Sequence, residues 1–246
     1  MTQKIKSISI VVPLYNEENR IQKTLPIIEE KLRKIEKKLN IKGEILLIDD
    51  GSKDNTYHTI KTISKYKKTK IYKEEINRGK GHALKVGFKN ATGDYIIFID
   101  ADLSTPLKHI NDFIKNIENT NTILIGSRKK KGSNVKKHQP WVREKLGQGF
   151  TFLSNVLLVW GISDFTCGFK MFPRTAGKKI FGKVTINRWG FDSEILYLAK
   201  KYGYKIKEIP VEWTNSDKTR VDLKKDIFRS LMDILKIKLN SLTGKY

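Results

Sequence analysis

The apolar residues of this chain fall into two recurring patterns: short β-branched runs alternate with longer segments in which apolar side chains return every three or four positions. The first run, Ile8-Ser9-Ile10-Val11-Val12, is stopped by Pro13, which cannot continue a central strand. Downstream, Ile21, Leu25, Ile28, Leu32, Ile35 and Leu39 recur at helical spacing opposite a face of lysine and glutamate, predicting a helix over residues 18–39. Strands are predicted at 44–48 and 70–73. Helices are predicted from Asp54 to Tyr66 and, beyond Gly81, to Asn90.

The stretch 93–106 carries the strongest local signal. A continuous apolar run, Tyr95-Ile96-Ile97-Phe98-Ile99, reads as a fully buried strand and ends abruptly in Asp100-Ala101-Asp102. Two carboxylates on the same side of the chain repel unless a cation sits between them. Oxygen ligands with no neighbouring His or Cys suit Mg²⁺ or Mn²⁺, ions that bridge to substrate phosphates. An exposed loop pair is the plainer alternative. Strands alternating with helices predict a mainly parallel sheet covered on both faces, with ligands bound outside the carboxyl ends of its strands. Those ends carry 13–17, Asp49-Asp50 and Asp100–Asp102.

Beyond Pro106 a helix to about Ile117 and a strand at 122–126 are predicted. Ser127 to Lys137 is basic, with Gly and Ser, and reads as a mobile loop or a solvated charge run. Residues 141–161 have a wide apolar helical surface that suits a core or a bilayer. Short strands are predicted at 165–172 and 207–213, and helices at 176–181 and 192–201. Near the C-terminus Ile227, Leu231, Ile234, Leu235, Lys238 and Leu242 recur at helical spacing, with Lys224, Lys225, Arg229, Lys236 and Lys245 interleaved. That pattern fits a helix lying on an anionic bilayer or packing on the domain.

The 246 residues suit one large domain with an appendage, and 49 basic against 26 acidic residues give a net charge of +23. Such charge draws nucleic acid, anionic membranes or phosphorylated substrates. No recognition-helix, RNP or OB pattern is present, so no nucleic-acid partner is expected. The lone Cys167 excludes an internal disulfide and fits a reducing compartment. No segment reaches the roughly 18 apolar residues of a transmembrane helix, and no signal-peptide core is seen; a soluble or peripheral cytoplasmic protein is expected. Asn77-Arg78-Gly79-Lys80-Gly81 lets backbone N–H groups and Lys80 or Arg78 approach a phosphate, but lacks the P-loop spacing.

Taken together, Val12 to Glu17, Asp49-Asp50-Gly51-Ser52, Asn77 to Gly81 and Asp100-Ala101-Asp102-Leu103 resemble family 2 glycosyltransferases, inverting enzymes of the GT-A fold. Ser163 to Lys170, Arg188 to Glu194 and Leu242-Thr243-Gly244 make the chain similar to dolichyl-phosphate β-glucosyltransferases and prokaryotic polyprenyl-phosphate glycosyltransferases. The likeness runs from Ile8 to Gly244.

The resemblance implies a Rossmann-like α/β catalytic domain over residues 1–225, with a nucleotide-sugar half at 1–126 and an acceptor half at 127–225. Residues 226–246 would form an amphipathic helix on the membrane surface. Pro13, Tyr15, Glu17 and Asp49 or Asp50 would floor the nucleoside, with Arg78, Lys80, Asp100, Ala101 and Asp102 around its phosphates. Asp-Asp-Gly-Ser is also good turn and cap chemistry. Asp100 and Asp102 would hold the divalent ion; Ser104 stands where related mannosyltransferases carry a glutamine ligand, so the third ligand is open. Arg128 and Arg143 occupy the positions that bind the acceptor phosphate in those relatives. Asp192 lies near the position of a catalytic base in other members, although a phosphate acceptor is already anionic and needs none. The implied reaction transfers glucose from UDP-glucose to dolichyl or polyprenyl phosphate on the cytoplasmic face of a membrane, with N-acetylglucosamine and mannose as alternative sugars. A nucleic-acid-binding module and an inactive scaffold of the same fold are the competing classes.

Overall fold

The computed structural model describes residues 5–216 and 223–246, apart from the side chains of residues 223–228. Its first half runs β1 (Ser7–Leu14), α1 (Glu18–Leu39), β2 (Lys42–Asp49), α2 (Thr56–Ile63), β3 (Thr69–Lys73), α3 (Lys80–Asn90) and β4 (Tyr95–Ile99). The second half runs α4 (His109–Lys115), β5 (Thr122–Ser127), β6 (Asn134–Lys137), α5 (Trp141–Leu157), β7 (Phe169–Pro173), α6 (Arg174–Lys183), α7 (Phe191–Lys201), β8 (Lys205–Pro210), β9 (Glu212–Thr214) and α8 (Leu223–Leu242). Seven strands form one sheet in the order β3-β2-β1-β4-β7-β5-β8, and β6 pairs with β9 in a second, smaller one. Every neighbouring pair in the large sheet is parallel except those made by β7.

The period-2 alternation of a strand explains the two cores. On one face Ile8, Ile10 and Val12 pack with Ile21, Leu25, Ile28 and Leu32 of α1. On the other, Val11 and Phe98 join Phe88, Phe172 and Phe181, with the Phe88 and Phe181 rings stacked at 3.8 Å. This is the helix-flanked, mainly parallel α/β sheet that the chain's pattern predicts.

Several boundaries differ, each for a visible reason. The helix expected to reach Tyr66 stops at Ile63, because Ser64 Oγ and Lys65 N donate to the buried Glu29 carboxylate on α1. The basic stretch expected as a loop ends in a strand, β6, and the single strand expected over 207–213 is two, β8 and β9. The chain leaves the large sheet after Pro210, where Val211 N donates to Ser127 O and Val211 O accepts from Asn134 N. Helix α8 starts at Leu223, so the expected boundary after residue 225 falls inside it. Lys224, Lys225 and Ile227 of the expected stripe lie outside the described side chains.

Helix α5 is not core. Ser154 is its one buried residue, while Trp141, Val142, Phe152 and Val156 are exposed, as is Trp160 just beyond. Helix α8 buries Ile234, Ile237 and Asn240 against the domain and exposes Leu235, Leu239 and Leu242. Hydrogen bonds from Asn240 Nδ2 to Thr185 Oγ1 and from Tyr197 Oη to Ser241 Oγ, and one from Tyr246 Oη to Glu194, secure its packed side. No helix of the described residues is long and apolar enough to cross a membrane.

Candidate active site

The carboxyl ends of β1, β2, β4 and β5 meet at one edge of the sheet. Because β7 is antiparallel, with Phe169 opposite Ile99, the residues before its start reach the same edge. The loops after β1 and β2 are sewn together: Asn16 N donates to Ser52 Oγ, Lys53 N to Asn16 Oδ1 and Glu17 N to Thr56 Oγ1. Pro13 and Tyr15 therefore sit beside Asp49 and Asp50. The Glu17 carboxylate pairs with Arg20 at 2.7 Å.

The two adjacent aspartates have separate surroundings. Asp50 accepts from Asn77 Nδ2 at 2.7 Å, Arg78 N at 3.1 Å and Gly79 N at 2.6 Å, so both its oxygens bind the loop before α3. Burial pushes its carboxyl above the ordinary range. Fully buried Asp49 takes Ser52 N on Oδ1 and leaves Oδ2 without a partner among the described residues. An orphaned buried acceptor is costly unless a ligand donor satisfies it. Gly51 (φ +68°) is required here, since a Cβ would lie 2.6 Å from the Ile76 carbonyl carbon.

After β4 the chain turns tightly. Leu103 N donates to Asp100 O, Leu103 takes φ +50°, and Ser104 N donates to Asp102 Oδ1 at 2.9 Å. The Asp100 and Asp102 side chains thus stay at the mouth of the sheet, with Ala101 buried between them. The Lys80 ammonium sits 2.5 Å from Asp100 Oδ1, so this carboxylate already holds a cation. Among the described residues no group of three His, Cys, Asp or Glu side chains is placed to hold a metal. Asp100 and Asp102 are a hard-oxygen pair that fits Mg²⁺ or Mn²⁺, ions that complete their shells with water and substrate oxygens.

Across the cleft, Arg128 follows β5. Its Nε and Nη2 donate to Asp164 Oδ2 and Oδ1, both at 2.7 Å, and the guanidinium lies 5.2 Å from the Trp213 ring centre. Burial raises the Asp164 carboxyl, but Arg128 outweighs it and holds the group at about 2. Arg143, in the first turn of α5, is brought close enough to Arg128 that burial and then that neighbouring charge weaken its hold on its proton.

The family model for glycosyl transferase family 2 matches residues 9–181. The chain belongs to that family. Dolichyl-phosphate β-glucosyltransferase of Dictyostelium discoideum is 37% identical over 96% of this chain and 75% of that protein. The human protein of the same name is 34% identical over 98% and 78%. A Mycobacterium tuberculosis glucosyl-3-phosphoglycerate synthase, solved with Mn²⁺, UDP and phosphoglyceric acid, has the same fold at a TM-score of 0.70, with 15% identity over 94% of this chain and 78% of that one. The mannosyltransferase PcManGT of Pyrobaculum calidifontis, solved with GDP-Man and Mn²⁺, matches at 0.64 with 18% identity over 97% of this chain; this chain spans 65% of that structure's length.

Three residues of this family 2 glycosyltransferase escaped the role-by-role reading of its sequence. Asp164 fixes Arg128, and Gly168 lets Asp100 sit against the backbone. Lys170, fully buried, donates to Asp192 Oδ1 at 2.5 Å and to Cys167 O at 2.7 Å. The signal for Lys170 was a cation in the apolar run Phe169-Lys170-Met171-Phe172. Asp192 opens α7, and burial, opposed by Lys170 and Lys80, leaves its carboxyl raised. Cys167 is buried and its thiol is pushed up to about 11 by that burial, so it is no nucleophile.

Proposed function

We propose that this glycosyltransferase moves glucose from UDP-glucose onto dolichyl or polyprenyl phosphate, inverting the anomeric carbon. The observation that supports the reading is the sheet edge itself: the buried Asp49 Oδ2, without a hydrogen-bond partner among the described residues, and the Asp100–Asp102 pair stand at the ends of β2 and β4, and Arg128, at the end of β5, is near enough to Arg143 for its charge to act there. The names of the relatives, dolichyl-phosphate β-glucosyltransferases, supply the sugar and the lipid.

Asp49 Oδ2 accepts a hydrogen bond from the nucleoside, with Pro13 and Tyr15 forming its floor. Glu17, turned to Arg20, borders that floor, and Asp50 shapes it by holding Asn77 to Gly79. Arg78 and Lys80 face the diphosphate. Asp100 and Asp102, with Ser104 as the candidate third oxygen, would hold Mg²⁺ or Mn²⁺, whose charge would offset that of the departing nucleoside diphosphate. Arg128, braced by Asp164, and Arg143 hold the acceptor phosphate so that its oxygen faces the anomeric carbon opposite the leaving group. The nucleophile is an anion, so no base is needed and Asp192 removes no proton.

The exposed apolar faces of α5 and α8, with exposed Lys145 on α5 and Lys236 and Lys238 on α8, suit a membrane surface, where the acceptor resides, and the cytoplasmic face is the side assigned to it. Residues 1–126 are assigned to the donor and 127–225 to the acceptor. The test is incubation of the purified chain with radiolabelled UDP-glucose, UDP-N-acetylglucosamine or GDP-mannose and polyprenyl phosphate, scored by organic extraction. Label is expected in the lipid phase from UDP-glucose; extraction from GDP-mannose alone would replace the sugar assignment, and none from any donor would refute the reaction.

A further inference from the structure

Lys170, Asp192, Lys80 and Asp100 form a row of alternating charges through the floor of the cleft. Lys170 Nζ binds Asp192 at 2.5 Å, and Lys80 Nζ binds Asp100 at the same distance. The two ammonium groups share one aromatic surface, lying 5.3 and 5.9 Å from the Phe98 ring centre. Lys80 Nζ is also 5.8 Å from the ring of Phe191, the residue next to Asp192, and it feels the Asp192 charge second only to that of Asp100.

The backbone of Lys80 cannot shift with its side chain. A Cβ at Gly79 (φ +112°) would lie 2.5 Å from Asn187 O and one at Gly81 would lie 2.5 Å from Ile186 O, and Gly81 N donates to Asn187 O at 2.8 Å. The long side chain has rotatable bonds enough to reach either carboxylate from that fixed point. The Lys170–Asp192 pair is also unusual as a stabilising device, because a fully buried ion pair gains little over apolar residues of the same size. With a phosphate acceptor, Asp192 has no proton to abstract, and its burial leaves it facing the inner charges.

We propose that Lys80 is an internal counter-ion with two berths: it neutralises Asp100 until a divalent cation takes that carboxylate, and then turns to Asp192, which Lys170 holds in place. Asp192 and Lys170 are then positioning residues for Lys80. The inference rests on the reading of Asp100 and Asp102 as cation ligands. It makes Lys80 a competitor of the divalent ion for Asp100, and a partner of Asp192 once the ion is in place.

The test is titration of the purified full chain with Mn²⁺ alone, without nucleotide, followed by electron paramagnetic resonance, with circular dichroism melting for each variant. Lys80→Met is expected to raise Mn²⁺ affinity about tenfold, roughly 1.4 kcal/mol. Lys170→Met combined with Asp192→Asn removes one charge of each sign, leaving the net charge of the cleft unchanged. This pair is expected to lower Mn²⁺ affinity severalfold when Lys80 is present and to leave it unchanged in the Lys80→Met background. Wild-type affinity in Lys80→Met, or an equal loss from the paired change in both backgrounds, overturns the proposal. If Lys80→Met melts early, Lys80→Gln carries the same test. Failure of every variant to bind Mn²⁺ refutes instead the assignment of Asp100 and Asp102 as cation ligands.

Discussion

Gly168 lies so close to Asp100 that a Cβ at position 168 would stand 1.9 Å from Asp100 Oδ2. The strand that brings it there, β7, runs against its neighbours, so the backbone before Phe169 forms a wall behind the carboxylate. Asp100 can rotate away from an added methyl group, because only side-chain atoms are crowded. Gly168→Ala should therefore leave the melting temperature within a few degrees of wild type, yet weaken Mn²⁺ binding and turnover at least tenfold. Calorimetry and a transfer assay check the two halves; unchanged turnover would show that Asp100 need not stand where it does.

Removing either charge of the proposed cation site should be more severe. Asp100→Asn and Asp102→Asn are each expected to lower turnover by about two orders of magnitude or more, and EDTA should abolish it in the wild type. Full activity of both variants in EDTA would refute a metal role.

Neighbouring Asp49 and Asp50 should separate cleanly. Asp50→Ala strips three donors of their acceptor and is expected to cost on the order of 2–3 kcal/mol of stability, read by denaturant unfolding. Asp49→Asn should fold normally and lose UDP affinity by about tenfold in calorimetry. The reverse pattern would move nucleoside recognition to Asp50.

On the proposed acceptor side, Arg128→Ala and Arg143→Ala should impair use of the lipid phosphate, with UDP affinity near wild type. The brace is testable by pH as well. The Asp164 carboxyl is depressed to about 2 in the folded chain, so its stabilising effect is present above the unfolded value near 4 and is lost as pH falls toward 2. Asp164→Asn should flatten that part of the acid-unfolding curve; an unchanged curve would show that the Arg128 pair contributes nothing.

Deleting α8 would remove Ile234 and Ile237 from the core, so membrane contact is better tested on its exposed side. Leu235→Ser with Leu239→Ser, and separately Trp141→Ser with Phe152→Ser, should reduce sedimentation with anionic liposomes severalfold at fixed salt while UDP binding persists. Undiminished sedimentation of both variants would refute the proposed docking of these two faces on a membrane.

The sequence by itself determined the alternation of β1 through β4 with their helices, because each of those elements has an apolar period of its own that no distant contact needs to supply. It also placed Asp49, Asp50, Asp100 and Asp102 at strand ends, where a polar run interrupts an apolar one. Tertiary structure decided everything that depends on which segments meet. The direction of β7 is set by its partners in the sheet, and so therefore is the approach of Gly168 to Asp100. Nothing in Asp49-Asp50 says which aspartate is consumed by Asn77, Arg78 and Gly79, because that depends on a loop 27 to 29 residues away. The apolar spacing of α5 fits burial and exposure equally, and only the packing of its neighbours leaves Trp141 and Phe152 in the open. Periodicity reports local chain geometry; pairing of charges and covering of faces are long-range events, and the linear code carries them only as residues that look out of place, as Lys170 does among phenylalanines.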